Sequence, residues 1–474
     1  MDAPWLKWIT DHETELVGKL AEAVAIPSIS GDAKFRPEVH RMMKWVADEL
    51  ESLSASVEMR PLGEHTMNGA KLELPPIVLA TVGTDPRKKT ILLYAHADVQ
   101  PASSKDSGWS GEDPFELRHD KATGRLYGRG STDDKGPLVG WLNVLKAHAE
   151  TKTELPVNLK FCIEGMEESG SEGLDELVEK EAKKYFAGTD AVCISDNYWL
   201  NTTKPALTYG LRGIAYFFLH INGPGSDLHS GLFGAMASEP MVDVVALMSK
   251  LVDSSGKILV PGLLDQVAKL TPEERKRYED LDFSANDIYD AIGSKTTLSD
   301  DKVTLLMARM RNPSLSLHGI EGAFAEPGSK TVIPCKVTGK FSIRLVPDMQ
   351  PEKVVSLVRD HLETEFAKLN SKNTMSVECG HAAKAWVADP TDANFTAAAK
   401  AIKTVWGVDP QLTREGGSIP VTLTFADNVA PTMLLPMGRS DDGAHSAPEK
   451  LDISNYIKGT QVLGLYLHEA AKLL

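Results

Sequence analysis

The chain is poor in cysteine. Its four, Cys162, Cys193, Cys335 and Cys379, lie far apart and form no paired motif. Cys162 and Cys193 sit inside apolar runs and read as buried free thiols, as in a protein kept in a reducing compartment. No stretch reaches the roughly 18–20 apolar residues that a membrane span needs. The start, Met1 to Lys7 followed by Asp11, Glu13 and Glu15, has no uncharged apolar core of the secretory kind. A cytoplasmic location is therefore expected. Positive charge is also short: 51 Lys and Arg stand against 66 Asp and Glu, for a net charge of −15. That balance excludes nucleic-acid binding by bulk electrostatics and disfavours an anionic membrane surface.

Acidic clusters are present instead, each at the end of an apolar run or in a glycine-rich loop. His96 and Asp98 follow Thr90–Leu93, and Asp133 and Asp134 lie in Gly128–Gly136. Glu167 and Glu168 follow Leu159–Ile163, Asp196 closes Ala191–Ser195, and His445 lies far downstream in Asp441–Ser446. Imidazole nitrogen and carboxylate oxygen are the ligands that divalent zinc or manganese takes. The ends of strands in an open α/β sheet are where such sheets hold ligands.

At 474 residues the chain exceeds a single core and predicts two or three domains. Strands are expected at Ile77–Val82, Ile91–Ala95, Val157–Ile163 and Ala191–Ser195, with a helix over Pro137–His148. This alternation predicts an α/β sheet. The texture changes near Tyr209. Beyond it come a strand at Ile214–Asn222, a helix at Pro240–Leu251, an alternating run Phe341–Leu345, a helix from Val355 to Leu369 and a strand at Met375–Cys379. Residues 253–311 are polar and read as an insertion. After about Pro390 the α/β texture returns and ends in a helix near Ile453–Leu474. The expected organisation is a catalytic domain in two parts, 1–208 and 389–474, with an α+β domain inserted at 209–388.

Each motif alone also has a plainer explanation. His96 and Asp98 could be a core histidine with a satisfying carboxylate. Asp133 and Asp134 could be a helix cap and its solvated neighbour. Glu167 and Glu168 could be an acidic turn opening a helix over Gly173–Lys180, and Arg344 a surface ion-pair partner. Together they favour metal. Three carboxylates, Asp133, Glu168 and Asp196, with one bridging hydroxide neutralise two divalent cations, whereas without metal they would repel one another.

At this point the chain resembles the di-metal aminopeptidase-like family of metallopeptidases that includes carnosinases, aminoacylases and glutamate carboxypeptidases. Within it the likeness is greatest to the cytosolic non-specific (Cys-Gly) dipeptidases. The motifs that carry it include Leu74–Pro76, Gly128–Gly136, Glu164–Gly173, Asp196–Trp199, Tyr209–Gly213, Asp227–Gly231, Pro313–Ala323, Lys330–Pro334, Thr413–Thr424 and Asp441–Ser446. The resemblance implies an aminopeptidase-like mixed-sheet catalytic domain with an inserted lid and dimerisation domain. It implies one metal held by His96, Asp133 and Asp196, and a second by Asp133, Glu168 and His445, with zinc or manganese as the ion. Asp98 would stand behind His96, Glu167 would be the general base, and the Asp133–Asp134 peptide would be cis. His229 and Thr331 would reach across a homodimer into the partner's site. Arg344, His381 and Ser418 in the Gly416–Ser418 turn would hold a terminal carboxylate, with Glu167 and His445 also against the substrate. The implied reaction is hydrolysis of dipeptides with a free terminal carboxylate, over a broad range that includes Cys-Gly, by a metal-bridging hydroxide. An N-acyl amino acid deacylase or carboxypeptidase in the same fold, and a non-catalytic dimeric binding protein, are the alternatives.

Overall fold

The apolar runs of the sequence become the middle of a mixed sheet. The computed structural model describes residues 3–67, 69–106, 108–417 and 419–474. The chain divides into two compact units. One comprises Met1–Tyr209, Ala388–Thr413 and Val421–Leu474; the other comprises Gly210–Val387 and Arg414–Pro420.

In the first unit the sheet runs in the order Ser56–Arg60, Ile77–Val82, Asn158–Glu164, Thr90–His96, Ala191–Ile194, Thr432–Leu434 and Ala206–Leu211. Thr90–His96 pairs in parallel with Asn158–Glu164 on one side and Ala191–Ile194 on the other, and Thr432–Leu434 continues the parallel set. These four strands are buried almost throughout. Continuous Val, Ile and Leu runs, rather than alternation, are what strands covered on both faces require. The helix Lys135–Glu150 packs on Ile453–Leu473, which packs on Ala393–Trp406. Trp5, from the helix Pro4–Asp11, stacks on His148 and His468 at ring-centroid distances of 4.7 and 5.3 Å.

The second unit holds a four-stranded antiparallel sheet in the order Ser314–Glu321, Lys336–Leu345, Gly213–Asn222 and Thr374–Ala383. Phe217, Leu219, Phe341 and Ile343 are fully buried on one face, with the helices Pro240–Met248 and Pro351–Leu369 against it. The stretch 253–311, expected only as a polar insertion, contains three helices, Pro272–Asp280, Ala285–Ile292 and Lys302–Met310. Local caps explain them. Thr271 accepts from Glu274 N–H, Asp301 from Thr304 N–H, and Ser284 with Asp287 forms a capping box. Charged exposed faces hide the helical period, because only residues such as Tyr278, Leu305 and Leu306 turn inward.

Glu164, at the end of a central strand, is fully buried and accepts hydrogen bonds from Tyr94 Oη (2.6 Å) and Ser171 Oγ (2.8 Å). Burial, with the nearby Asp98, pushes its carboxyl from 4.5 to about 7. The folded state thus favours the protonated form, and stability is lost as pH rises from the unfolded value through the folded one. In metal-free protein, Glu164→Gln should remove that decline. Denaturant midpoints taken between about pH 4 and pH 8 should show the parent losing about 3 kcal/mol relative to the variant; parallel pH profiles would refute the assignment.

Candidate metal centre

Three parallel strands deliver their carboxyl ends to one edge of the sheet, and the acidic clusters ride on those ends. His96 is the last residue of its strand, Glu167–Ser169 form a single 3₁₀ turn beyond Glu164, and Asp196 lies two residues past Ile194. Asp133 comes from the loop before the helix Lys135–Glu150. His445 comes from the loop before Lys450–Asp452, with a left-handed φ of 58°. Gly136 lets the Asp133 loop close on itself, since an added Cβ would lie 2.1 Å from Ser131 O.

The side chains meet in two groups that share Asp133: His96, Asp133 and Asp196, and Asp133, Glu168 and His445. His96 Nε2 lies 3.1 Å from Asp133 Oδ1 and 3.7 Å from Asp196 Oδ2. His445 Nε2 lies 3.2 Å from Asp133 Oδ2 and 2.9 Å from Glu168 Oε2. The two oxygens of Asp133 thus face different histidines, as a bridging carboxylate must. The Asp133–Asp134 peptide is cis, as the resemblance implies. Asp134 sits at the helix N-cap without capping by its side chain; Oδ2 instead accepts from His96 N–H at 3.3 Å. The plain cap explanation for this pair therefore fails.

The electrostatics fit cations. Burial, reinforced by Asp133, raises the carboxyl of Asp196 to about 7. Burial also raises Glu167 well above its usual range; His96 opposes the shift, and Asp196, Glu168 and Asp133 add to it. Burial alone would raise Asp133, but hydrogen bonds from His445 and His96 hold its carboxyl far below the ordinary value. Hydrogen bonds to Asp133 and Glu168 raise His445 to about 10. Protons here do the work that divalent ions would do, and the donor set of carboxylate oxygen and imidazole nitrogen suits such ions. A third acidic group, Asp441, Asp442 and Asp452, is different. Lys450 Nζ donates to all three, at 2.8, 2.6 and 2.5 Å, and supplies its cation.

Asp98 is fully buried behind His96. The ring Nδ1 lies 3.1 Å from the Asp98 carbonyl oxygen and 3.4 Å from its carboxylate. That carboxylate chiefly accepts N–H groups from Glu167 (3.2 Å) and Glu168 (3.1 Å), so Asp98 orients the acidic turn as well. His229 and Thr331 lie on neighbouring short segments of the second unit, with His229 paired to Val332 and Ser230 N–H donating to Thr331 O. His229 Nδ1 accepts from Gly231 N–H at 3.0 Å, which leaves Nε2 as the donor nitrogen of the exposed ring. Arg344 is paired across the sheet with Ile214 and Ser314, and His381 with Tyr216. The pairing puts Arg344 and His381 on the same polar face of that sheet. Gly416 O accepts from Arg212 Nε at 3.0 Å, and Glu415 is held bidentately by Arg309 at 3.0 and 2.7 Å. Ser418 lies outside the described residues.

Sequence reasoning missed two supporting residues. Gln100 Nε2 donates to Glu168 Oε2 at 2.9 Å. Glu449 is fully buried and accepts from Arg129 Nη1 and from the N–H groups of Gly130, Thr132 and Asp133, at 2.9 to 3.1 Å. Its one signal was a glutamate just before the apolar Leu451 and close behind His445, too little to single it out.

Two ions per chain are expected, because Asp133 serves both groups. Asp133→Asn should lose both, whereas Asp196→Asn should keep one. Elemental analysis after metal loading and gel filtration checks this, and equal metal content in the two variants would overturn the shared-ligand geometry.

Residues 92–469 match the model of peptidase family M20/M25/M40. The chain is 55% identical to the Cys-Gly metallodipeptidase DUG1 of Candida albicans, over 99% of this chain and 97% of that one. It is 46% identical to the human Beta-Ala-His dipeptidase, over 98% of this chain and 92% of that one. The solved structure of the di-peptidase Dug1p from Saccharomyces cerevisiae superposes with a TM-score of 0.92 at 50% identity, covering 99% and 98% of the two chains. These likenesses run through both units and every ligand-bearing loop. With two ligand groups sharing one carboxylate, the molecule is a binuclear metal-dependent hydrolase, and the chain belongs to peptidase family M20/M25/M40.

Proposed function

We propose that the protein is a dipeptidase that acts as a homodimer on dipeptides with a free terminal carboxylate, Cys-Gly among them. The observation that carries this reading is the paired ligand groups with Glu167 beside them. Two divalent ions held there, zinc or manganese by the chemistry of the ligands, supply Lewis acidity and lower the pKa of water. Glu167, raised by burial and by its carboxylate neighbours, suits a base that takes a proton from the attacking water and passes it to the leaving amine. Arg344, His381 and the Gly416 turn bind the substrate carboxylate, Arg344 through its planar fork. His229 offers the Nε2 proton to the developing oxyanion. Its supply by a second subunit accords with exposed apolar side chains close by in sequence: Leu232 is 67% and Met236 79% exposed, with Val242 and Val245 at 60% and 50%. The names of the relatives support a dipeptide substrate.

Glu167→Gln should keep both ions and the fold and lose turnover on Cys-Gly by about 10²–10⁴-fold. Activity within a few-fold of the parent would exclude Glu167 as the base. A second experiment tests the shared site. The metal ligands belong to one unit of the chain and His229 to the other, so inactive His229→Ala and inactive His445→Ala subunits should restore activity on exchange. Each mixed dimer would then contain one working site. Verified exchange without recovery would confine His229 to its own chain or remove it from catalysis.

A further inference from the structure

One short segment, Ala23–Ser30, touches three of the ligand-bearing regions, those of His96, Glu168 and Asp133. Ser28 Oγ donates to Ala97 O at 2.7 Å, and Ala97 is the residue between His96 and Asp98. Val99 N–H returns a bond to Ser28 O at 2.9 Å, and Ile29 forms a parallel bridge with Val99. Ser30 Oγ lies 2.8 Å from Ser169 Oγ, next to Glu168. Lys135 Nζ, two residues past Asp133 and fully buried, donates to Ala23 O (3.0 Å) and Ile26 O (2.7 Å). Ser28 and Ser30 are themselves fully buried. Buried hydroxyls are kept where their hydrogen bonds are made. The partners of these two are main chain beside one ligand and a side chain beside another, so each bond fixes a different ligand-bearing loop.

We propose that Ser28 and Ser30 are positioning residues that set the affinities of the two metal ions separately. Ser28 holds the His96 loop and so serves the ion of His96, Asp133 and Asp196. Ser30 holds the Glu167–Ser169 turn and so serves the ion of Asp133, Glu168 and His445. The segment belongs to neither ligand set. Lys135 anchors it to the helix that follows the shared Asp133, which keeps the two spans in one frame. The inference rests on the paired-ion reading above. Partners that orient metal ligands typically change affinity by about 10–100-fold when removed.

The test is graded competition with a chelator on the fully zinc-loaded chain, with bound zinc counted at each step. Ser28→Ala and Ser30→Ala should each release one ion roughly tenfold more readily and leave the other unchanged, and the double variant should release both. The denaturation midpoints of the metal-free variants are compared with the parent in parallel. A merely structural role would lower those midpoints and leave both zinc affinities where they were, which overturns the proposal. Equal weakening of both ions by either serine also overturns it. A parent that holds a single ion defeats the paired-ion reading and this proposal together, whereas a parent with two ions and unshifted variants defeats this proposal alone.

Discussion

The carboxylate of Glu449 accepts three main-chain N–H groups from Gly130, Thr132 and Asp133 while its own backbone follows the loop of His445. That one set of bonds ties together two loops more than three hundred residues apart in sequence. Asp133 and His445, the shared carboxylate and the imidazole of the second group, arrive on those loops. Arg129 balances the charge at 2.9 Å and also donates to Ser446 O at 2.9 Å, closing the knot from the other side. Three N–H partners and a guanidinium reduce the cost of burying this carboxylate, yet burial still raises it to about 7.

Around this knot the unit concentrates negative charge that it cannot solvate. Asp133, Glu167, Glu168 and Asp196 are within reach of one another's fields; burial and this repulsion raise Glu167 and Asp196, while hydrogen bonds from the two histidines hold Asp133 low. The contrast with Asp441, Asp442 and Asp452 is instructive. There the fold places Lys450 at the centre and needs nothing further. At the strand ends it places histidines whose Nε2 atoms face the carboxylates. Asp98 spends its carboxylate on the Glu167 and Glu168 N–H groups. Local charge balance thus separates a structural ion cluster from a reactive one.

Much of this was legible in the sequence, for physical reasons. Buried parallel strands must be continuous apolar runs, so Thr90–His96 and Ala191–Ile194 announce themselves, and ligands at their ends inherit that visibility. His445 had no such frame. Its loop precedes a three-residue strand, so the sequence marked it only as a candidate and the family resemblance gave it a ligand group. The expected contact between the His96 ring and the Asp98 carboxylate is present at 3.4 Å, but the nearer atom is the Asp98 carbonyl, a choice made by local backbone geometry that side-chain identity does not encode. The helices within 253–311 were hidden because their faces are mostly solvated. Ser28, Ser30 and Glu449 were hidden because single hydroxyls and carboxylates acquire meaning only when distant loops meet.

The placement of Thr432–Leu434 has a consequence for the newborn chain. This strand lies between Ala191–Ile194 and Ala206–Leu211, so two strands made early wait for a neighbour made late. The second unit, by contrast, is nearly continuous in sequence and has its own apolar core before that strand leaves the ribosome. From the making of Ala206–Leu211 until that of Thr432–Leu434 the nascent protein therefore carries an open sheet edge of buried-type residues, the kind of edge that chaperones cover. His445 follows later still, so the second ligand group, Asp133, Glu168 and His445, is complete only after that strand has been made.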